Sequence, residues 1–129
     1  MLPGTITSGT GWCCGVTLDF EGVAVVPLVG ASSFSGDWTS GCVSAFLPTT
    51  CMRTLTLQLV TRSGDVLLLS AEASWEIPDE TEPPSTWSVD SAASTGRFAR
   101  YSGSGTYSVD ELPSGGITIS LSGNLSPAP

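Results

Sequence analysis

The sequence predicts an all-β protein, a single antiparallel β-barrel of about eight strands. Apolar residues recur with period two along most of the 129 residues, and turn residues separate the alternating segments. Ser, Thr and Gly make up 50 of the 129 residues, so good helix formers are scarce. A hydrophobic content of 40% with four tryptophans excludes a disordered chain.

The strongest local prediction is a β-hairpin in the centre of the chain. Residues 53–60 alternate cleanly and place three leucines on one face, and residues 62–65 supply a turn. Residues 66–77 form the second strand, one face of which carries Leu67, Leu69, Ala71, Ala73, Trp75 and Ile77. Further strands are predicted over residues 16–25, 32–39, 86–90, 98–109 and 117–122.

Glycines and turn-rich segments predict how the strands are joined and closed. Gly103 and Gly105 lie two apart on one strand face, where strands bend or backbones approach closely, and they favour a closed barrel. Residues 78–84, PDETEPP, are predicted as a solvated loop, since its prolines cannot donate to a ladder and its charges repel. A lid is the less favoured alternative for this loop. Residues 1–129 are expected to form one domain.

The charge balance excludes several functions. The chain carries 12 acidic residues, four arginines, no lysine and no histidine, for a formal net charge of −8. Four scattered arginines cannot neutralise a row of phosphates, so we expect no nucleic-acid partner. Without histidine there is no Ser-His-Asp or Cys-His catalysis, and without lysine there is no Schiff base or P-loop. We therefore expect no metal site and no cofactor.

Neither a membrane span nor a leader segment is predicted. No run reaches the roughly 18 consecutive apolar residues of a transmembrane helix. Residues 1–6, MLPGTI, have neither a basic n-region nor a continuous apolar h-region, so we expect no signal peptide. With Met1 as the native start the protein is expected in the cytoplasm, and it would be secreted if this Met replaced a signal peptide.

The four cysteines leave two kinds of pairing open. Cys13 and Cys14 are adjacent, whereas Cys42 and Cys51 lie nine residues apart. A bond between adjacent cysteines in a strand would be strained, so two crossed pairings satisfy all four. A Cys42–Cys51 bridge across a hairpin would leave the other two free. In the absence of a signal peptide, buried free thiols are slightly favoured.

Residues 94–107, STGRFARYSGSGTY, carry the most informative motif. They resemble the signature TGRFAGATGSGT of bacterial proteins with an allene-oxide-cyclase-like barrel, a calycin-like fold shared with plant dirigent proteins. Residues 115–123, GGITISLSG, are similar to the closing strand of that family, and the resemblance covers about the last 80 residues. The sequence departs from the signature at Arg100 and Tyr101, where small residues are usual, and this suggests an altered cavity mouth.

The resemblance implies a cofactor-free barrel that binds a hydrophobic small molecule. Allene oxide cyclases close a ring in a reactive lipid, related small actinobacterial barrels are Diels–Alderases of polyketides, and dirigent proteins steer phenoxy radicals. The leading hypothesis is a cofactor-independent cyclase that folds a polyketide or lipid in the lumen. Holding the reactive conformer can lower a barrier by about 7–11 kcal/mol. The alternative is a non-catalytic barrel, either a hydrophobic-ligand carrier or a secreted structural module.

The candidate site residues are mostly aromatic. Tyr101 and Tyr107 share a strand face with Gly103 and Gly105, and a tyrosine hydroxyl can donate to a substrate carbonyl. That face either lines a lumen with room for a ligand or is one on which aromatic rings cover glycine backbone. The expected walls of the substrate site, which are equally ordinary core residues, are Phe34, Trp38, Trp75 and Trp87.

Glu72 and Arg100 complete the candidate set. If Trp75 points inward, Glu72 is a solvated carboxylate on the outside, whereas inverted parity would make it a buried general acid or base with a raised pKa. Arg97 and Arg100 near the expected mouth are candidates for gripping an acidic headgroup, although pairing with nearby aspartates is the commoner fate. An open barrel edge or an exposed apolar outer face would favour a homodimer.

Overall fold

Eight β-strands account for most of the chain. A computed structural model describes residues 2–12, 15–26, 29–43, 49–77 and 79–127. The strands are β1 (Leu2–Trp12), β2 (Gly15–Val26), β3 (Gly30–Val43), β4 (Thr49–Thr61), β5 (Val66–Ile77), β6 (Thr86–Val89), β7 (Tyr101–Glu111) and β8 (Gly116–Pro127). One short 3-10 turn, Gly96–Phe98, precedes β7.

The strands form a closed antiparallel barrel. Each strand pairs with the next one along the chain, and β8 pairs with β1 to close the ring. The closing pairs run from Leu2 with Ile119 to Thr5 with Gly116. The predicted all-β antiparallel barrel is confirmed.

β3 and β8 extend beyond the predicted residues 32–39 and 117–122, and two further elements differ from the prediction. The sequence does not predict β1, because Gly, Ser and Thr interrupt its apolar alternation. β1 nevertheless closes the barrel, and Gly4 lets it do so, since a Cβ there would lie 2.9 Å from the Phe34 ring. The last long strand before the C-terminal one begins at Tyr101 rather than at residue 98, because Gly96 has a φ of 61° and the chain turns there.

Side-chain alternation fills the interior from all sides. On β4, Leu55, Leu57 and Leu59 are buried, and on β5 their direct partners include Leu67 and Leu69. The strand pairing aligns inward-facing positions on neighbouring strands, so the same alternation of inward and outward side chains continues around the ring. The predicted central hairpin is therefore present, but its first strand extends from the predicted residues 53–60 to Thr49–Thr61, and Ile77 on the inward face of β5 is exposed.

Glycines allow β7 and β8 to approach closely. Gly105 pairs with Gly123, and a Cβ on Gly105 would lie 2.7 Å from the Gly123 Cα and would clash with the Ser122 carbonyl. Gly103 is similarly close to the backbone of the partner strand. Close backbone approach, the reason expected for these glycines, is thus what the barrel wall requires.

Candidate functional site

The middle of the lumen is filled by side chains. Phe20, Phe34, Leu57 and Ile117 are all at most 2% exposed, and the two phenylalanine rings lie 6.3 Å apart at a tilt of 51°. An eight-stranded barrel has an interior just wide enough for side chains or one small ligand. Within the part of the chain that the structure describes, the lumen is therefore packed in its middle, and open space is found toward its ends. We call the end with residues 62–65 and 90–100 the upper end, and the end with residues 79–85 and 112–115 the lower end.

An apolar cavity of about 180 Å³ lies toward the upper end of the lumen. Five of the eight strands supply its walls, and nearly all the lining side chains are aliphatic or aromatic. The lining residues are Val26, Leu59, Leu67, Leu69, Trp87, Leu121, Ser122, Gly123 and Leu125. Because Ser122 and Gly123 are exposed, the cavity reaches the surface. It has the chemistry to take up an apolar group.

Arg97 contacts residues of two other strand connections at the upper end. Its guanidinium donates a hydrogen bond to the Val29 carbonyl and lies 3.9 Å from the Asp65 carboxylate. It also stacks 4.6 Å above the centre of the Phe98 ring, which is fully buried. Gly96 makes room for Asp65, since a Cβ at this position would clash with that carboxylate. Residues 96–98 therefore cover part of the upper end of the barrel.

The lower end holds a buried charge. Arg53 is 6% exposed and has the inward parity of the β4 leucines. Its guanidinium lies 2.6 Å from a carboxylate oxygen of Glu82, donates to the Pro83 carbonyl at 2.9 Å, and sits 5.4 Å from the centre of the Trp75 ring. Sequence analysis did not single out Arg53, although its spacing from Leu55 carries the signal for an inward arginine.

The two candidate tyrosines occupy different surroundings. Tyr101 stands at the upper end, half-buried, with its ring edge-on to Phe98 at 4.9 Å. Tyr107 is 7% exposed and lies toward the lower end, where it lines a narrow space with Arg53 and Pro84. Six residues of strand separate the two tyrosines, about 20 Å at 3.3 Å per residue. They do not face one common substrate position.

The four candidate wall residues are also spread along the lumen. Phe34 belongs to the filled middle, and Trp75 belongs to the lower end with Arg53. Trp87 lines the upper cavity, and its indole N–H donates to the Thr106 carbonyl at 3.0 Å. Trp38 is half-buried, and its buried Nε1 meets no acceptor among the described residues. Only Trp87 of this set lines the apolar cavity.

Glu72 and Arg100 lie outside the lumen. Trp75 is buried and Glu72 is exposed on the opposite face of β5, so the inverted parity that would bury this carboxylate does not occur. Glu72 instead borders an outer depression of about 570 Å³ lined largely by serines and threonines. Arg100 is exposed beside the upper end. Glu72 also lines the narrow space that Tyr107 and Arg53 share at the lower end.

The outer wall carries one pair of facing carboxylates. Asp19 and Asp37 are direct cross-strand partners on β2 and β3. Burial raises the pKa of Asp37 above its ordinary value of 3.8, and the Asp19 charge raises this pKa further. Beside them, the hydroxyls of Thr17 and Thr39 are hydrogen-bonded at 3.0 Å. Like charges directly opposite destabilise a sheet, so this pair weakens the wall at neutral pH.

The cysteine expectation requires a correction. Cys42 and Cys51 are direct partners on β3 and β4 and form a disulfide, so these two are not the free thiols that the sequence slightly favoured. The pairing register places them opposite each other across the hairpin, which the spacing alone left as one of several options. Cys13 and Cys14 lie outside the described residues.

No group of three or more potential metal ligands occurs among residues 2–12, 15–26, 29–43, 49–77 and 79–127. Over the same residues, no helix has the length and apolar character needed to cross a membrane. Comparison with protein-family models, with curated proteins and with solved structures finds no match for this chain.

Proposed function

We propose that the protein binds a small apolar molecule in the upper cavity of its barrel. The observation that carries this proposal is the space of about 180 Å³, walled by leucines and by Trp87. An apolar cavity of about 150 Å³ is enough to hold a benzene ring. Burial of such a ligand against aliphatic walls releases about 25 cal/mol for each Å² of apolar surface.

The size of the cavity favours a binding role over polyketide cyclisation. Sites for drug-sized ligands measure about 300–1,000 Å³, whereas this cavity is smaller than the lower limit. None of the candidate catalytic residues Tyr101, Tyr107 and Glu72 lines this cavity. The hydrophobic-ligand carrier, the alternative of the two hypotheses, is therefore the function that the geometry supports best.

One observation keeps a cofactor-free cyclase as a second candidate. The buried Tyr107 borders a narrow space with Arg53, where a phenol could donate to a substrate carbonyl. Such an enzyme would need the loop over this end to move, because the space measures only about 10 Å³. Tyr107→Phe would then slow turnover about tenfold by removing one hydrogen bond, while ligand uptake in the upper cavity would not change.

The disulfide is evidence on the cellular compartment in which the protein acts. Disulfides persist in oxidising compartments and are rare in the cytosol. The Cys42–Cys51 bond therefore favours the exported alternative over the cytoplasmic expectation.

Iodobenzene tests the binding proposal directly, because its heavy atom quenches indole fluorescence on contact. Uptake beside Trp87 should quench part of the intrinsic fluorescence saturably. Trp87→Phe should remove the saturable component, whereas Trp38→Phe, which alters a tryptophan outside the cavity, should retain it. Leu121→Phe should fill the cavity and abolish saturation while leaving all tryptophans in place. Quenching that never saturates, or that saturates equally in Leu121→Phe, would contradict the proposal.

A further inference from the structure

Arg53 is the only one of the four arginines that is buried. A buried charge is costly unless it is paired, and a guanidinium carries five donors that need acceptors. The hydrogen-bond partners of Arg53 lie neither on its own strand nor on a neighbouring one. They are the Glu82 carboxylate and the Pro83 carbonyl of the loop that crosses the lower end.

That loop, residues 79–85, is attached at its two ends and rests on Arg53 between them. Near its start the Glu80 N–H donates to the Glu76 carbonyl, and at its end the Ser85 carbonyl accepts from the Tyr107 N–H. Glu82 itself keeps 63% of its side chain exposed. None of residues 79–85 belongs to a strand, so lifting Glu82 and Pro83 from Arg53 leaves the barrel ladders intact.

Trp75 contacts the guanidinium, and the strand register places Trp38 on the same inward face. The Trp75 ring supports the guanidinium by a cation–π contact at 5.4 Å. Trp38 is the diagonal neighbour of Arg53 across the β3–β4 ladder, since it pairs with Leu55 two residues further along. Its buried indole N–H has no acceptor among the described residues. A donor without an acceptor, at a diagonal position to a buried cation on the same inward face, is an arrangement that an anionic oxygen would complete.

We propose that Arg53, with Trp75 and Trp38, forms a carboxylate-binding subsite at the lower end of the lumen, and that the Glu82 side chain occupies it when the loop is closed. A guanidinium matches the two oxygens of a carboxylate, and Glu82 already supplies one such group. The closed space beside Arg53 measures only about 10 Å³, so the loop must lift to admit the ligand, whose apolar body would then lie against the Trp75 ring. The ligand class is a small organic acid with an apolar tail, and its carboxylate displaces that of Glu82.

This subsite is independent of the upper cavity. The filled middle of the lumen, with Leu55, Leu57 and Phe20, lies between the two. A carboxylate ligand at the lower end would therefore neither need nor block an apolar ligand at the upper end. The two proposals can fail separately.

Hexanoate and its neutral analogue hexanamide test the subsite by calorimetric titration of the intact protein. Glu82→Gln removes the competing charge but keeps an oxygen that can accept from Arg53, so this variant should bind hexanoate about tenfold more tightly than the wild type. Glu80→Gln is the matched control, a neighbouring loop carboxylate that does not touch Arg53, and its affinity should equal that of the wild type. Hexanamide should bind all three proteins equally weakly.

Variants of Arg53 complete the experiment. In the Glu82→Gln background, Arg53→Gln should abolish hexanoate binding, and Arg53→Lys should retain a weaker, salt-sensitive affinity because it keeps the charge. The lysine variant covers the case in which the glutamine variant does not fold. Equal hexanoate affinity in the wild type and Glu82→Gln, or unchanged affinity in Arg53→Lys, would overturn the proposal. Iodobenzene uptake serves as an internal check and should be the same in Glu82→Gln and the wild type.

Discussion

Gly105→Ala should destabilise the barrel far more than the same substitution at Gly11. A Cβ at Gly105 would lie 2.7 Å from the Gly123 Cα and would clash with the Ser122 carbonyl, and both contacts are with backbone that cannot rotate away. Overpacking of this kind costs about 1–3 kcal/mol. Because the added Cβ would press on the backbone of two paired strands, β7 and β8, we expect a loss of unfolding free energy near the upper limit, about 3 kcal/mol. For a domain of this size that corresponds to a fall in Tm of roughly 10 °C.

Gly11 provides the matched control. It also lies in a strand, but a Cβ there meets no atom within 4 Å. Alanine removes backbone freedom from the unfolded chain, so Gly11→Ala should be neutral or stabilising by up to about 1 kcal/mol. Urea titration of both variants, followed by far-ultraviolet circular dichroism, measures the difference. If Gly105→Ala and Gly11→Ala unfold at the same urea concentration, close approach of β7 and β8 is not what Gly105 provides.

Two further predictions concern the cysteines and the acidic pair. Cys42 and Cys51 should resist alkylation until reductant is added, and replacing both with serine should cost about 2–3 kcal/mol in stability; alkylation of both in the unreduced native protein would contradict the pairing. Because the pKa of Asp37 is raised in the folded protein, the native state binds this proton more tightly than the unfolded chain, so stability is lost as the pH rises from about 3.8 through the raised pKa. Asp37→Asn should therefore raise the urea midpoint at about pH 7 and leave it unchanged at about pH 3, and an unchanged midpoint at neutral pH would refute the repulsion argument.

The central hairpin could be predicted because its signal is local. Strict alternation along β4 and β5 and a turn at residues 62–65 determine both the pairing and the buried face. The inward parity of Trp75, and with it the outward position of Glu72, follows from the same alternation. Here each residue is positioned by its near neighbours in the chain.

The closing strand and the upper closure could not be predicted in this way. β1 is a strand because it pairs with β2 on one side and β8 on the other, not because its own residues favour an extended conformation. The turn at residues 96–98 depends on contacts of Arg97 with Val29 and Asp65, which are both far from Arg97 in the sequence. Contacts between segments far apart in the chain decide both elements.

The candidate site was predictable only as a set of inward positions. Alternation indicates which side chains enter the lumen. The volume left empty depends on the sizes of the side chains that meet there from opposite walls. Phe34 and Trp87 are both aromatic residues that point into the barrel. Phe34 fills the middle of the lumen, whereas Trp87 borders the upper cavity. Likewise, the spacing of Arg53 predicts an inward guanidinium, but only the fold brings Glu82 to it from 29 residues away.

The packed middle of the lumen has a consequence for how any ligand is recognised. A ligand that spanned the barrel would need to displace Leu57 or Phe20, each at most 2% exposed, and opening such a core costs several kcal/mol. That cost would be subtracted from the affinity of such a ligand. The two proposed sites would therefore take separate ligands, because an amphipathic acid long enough to reach both would have to open the core that holds the barrel closed.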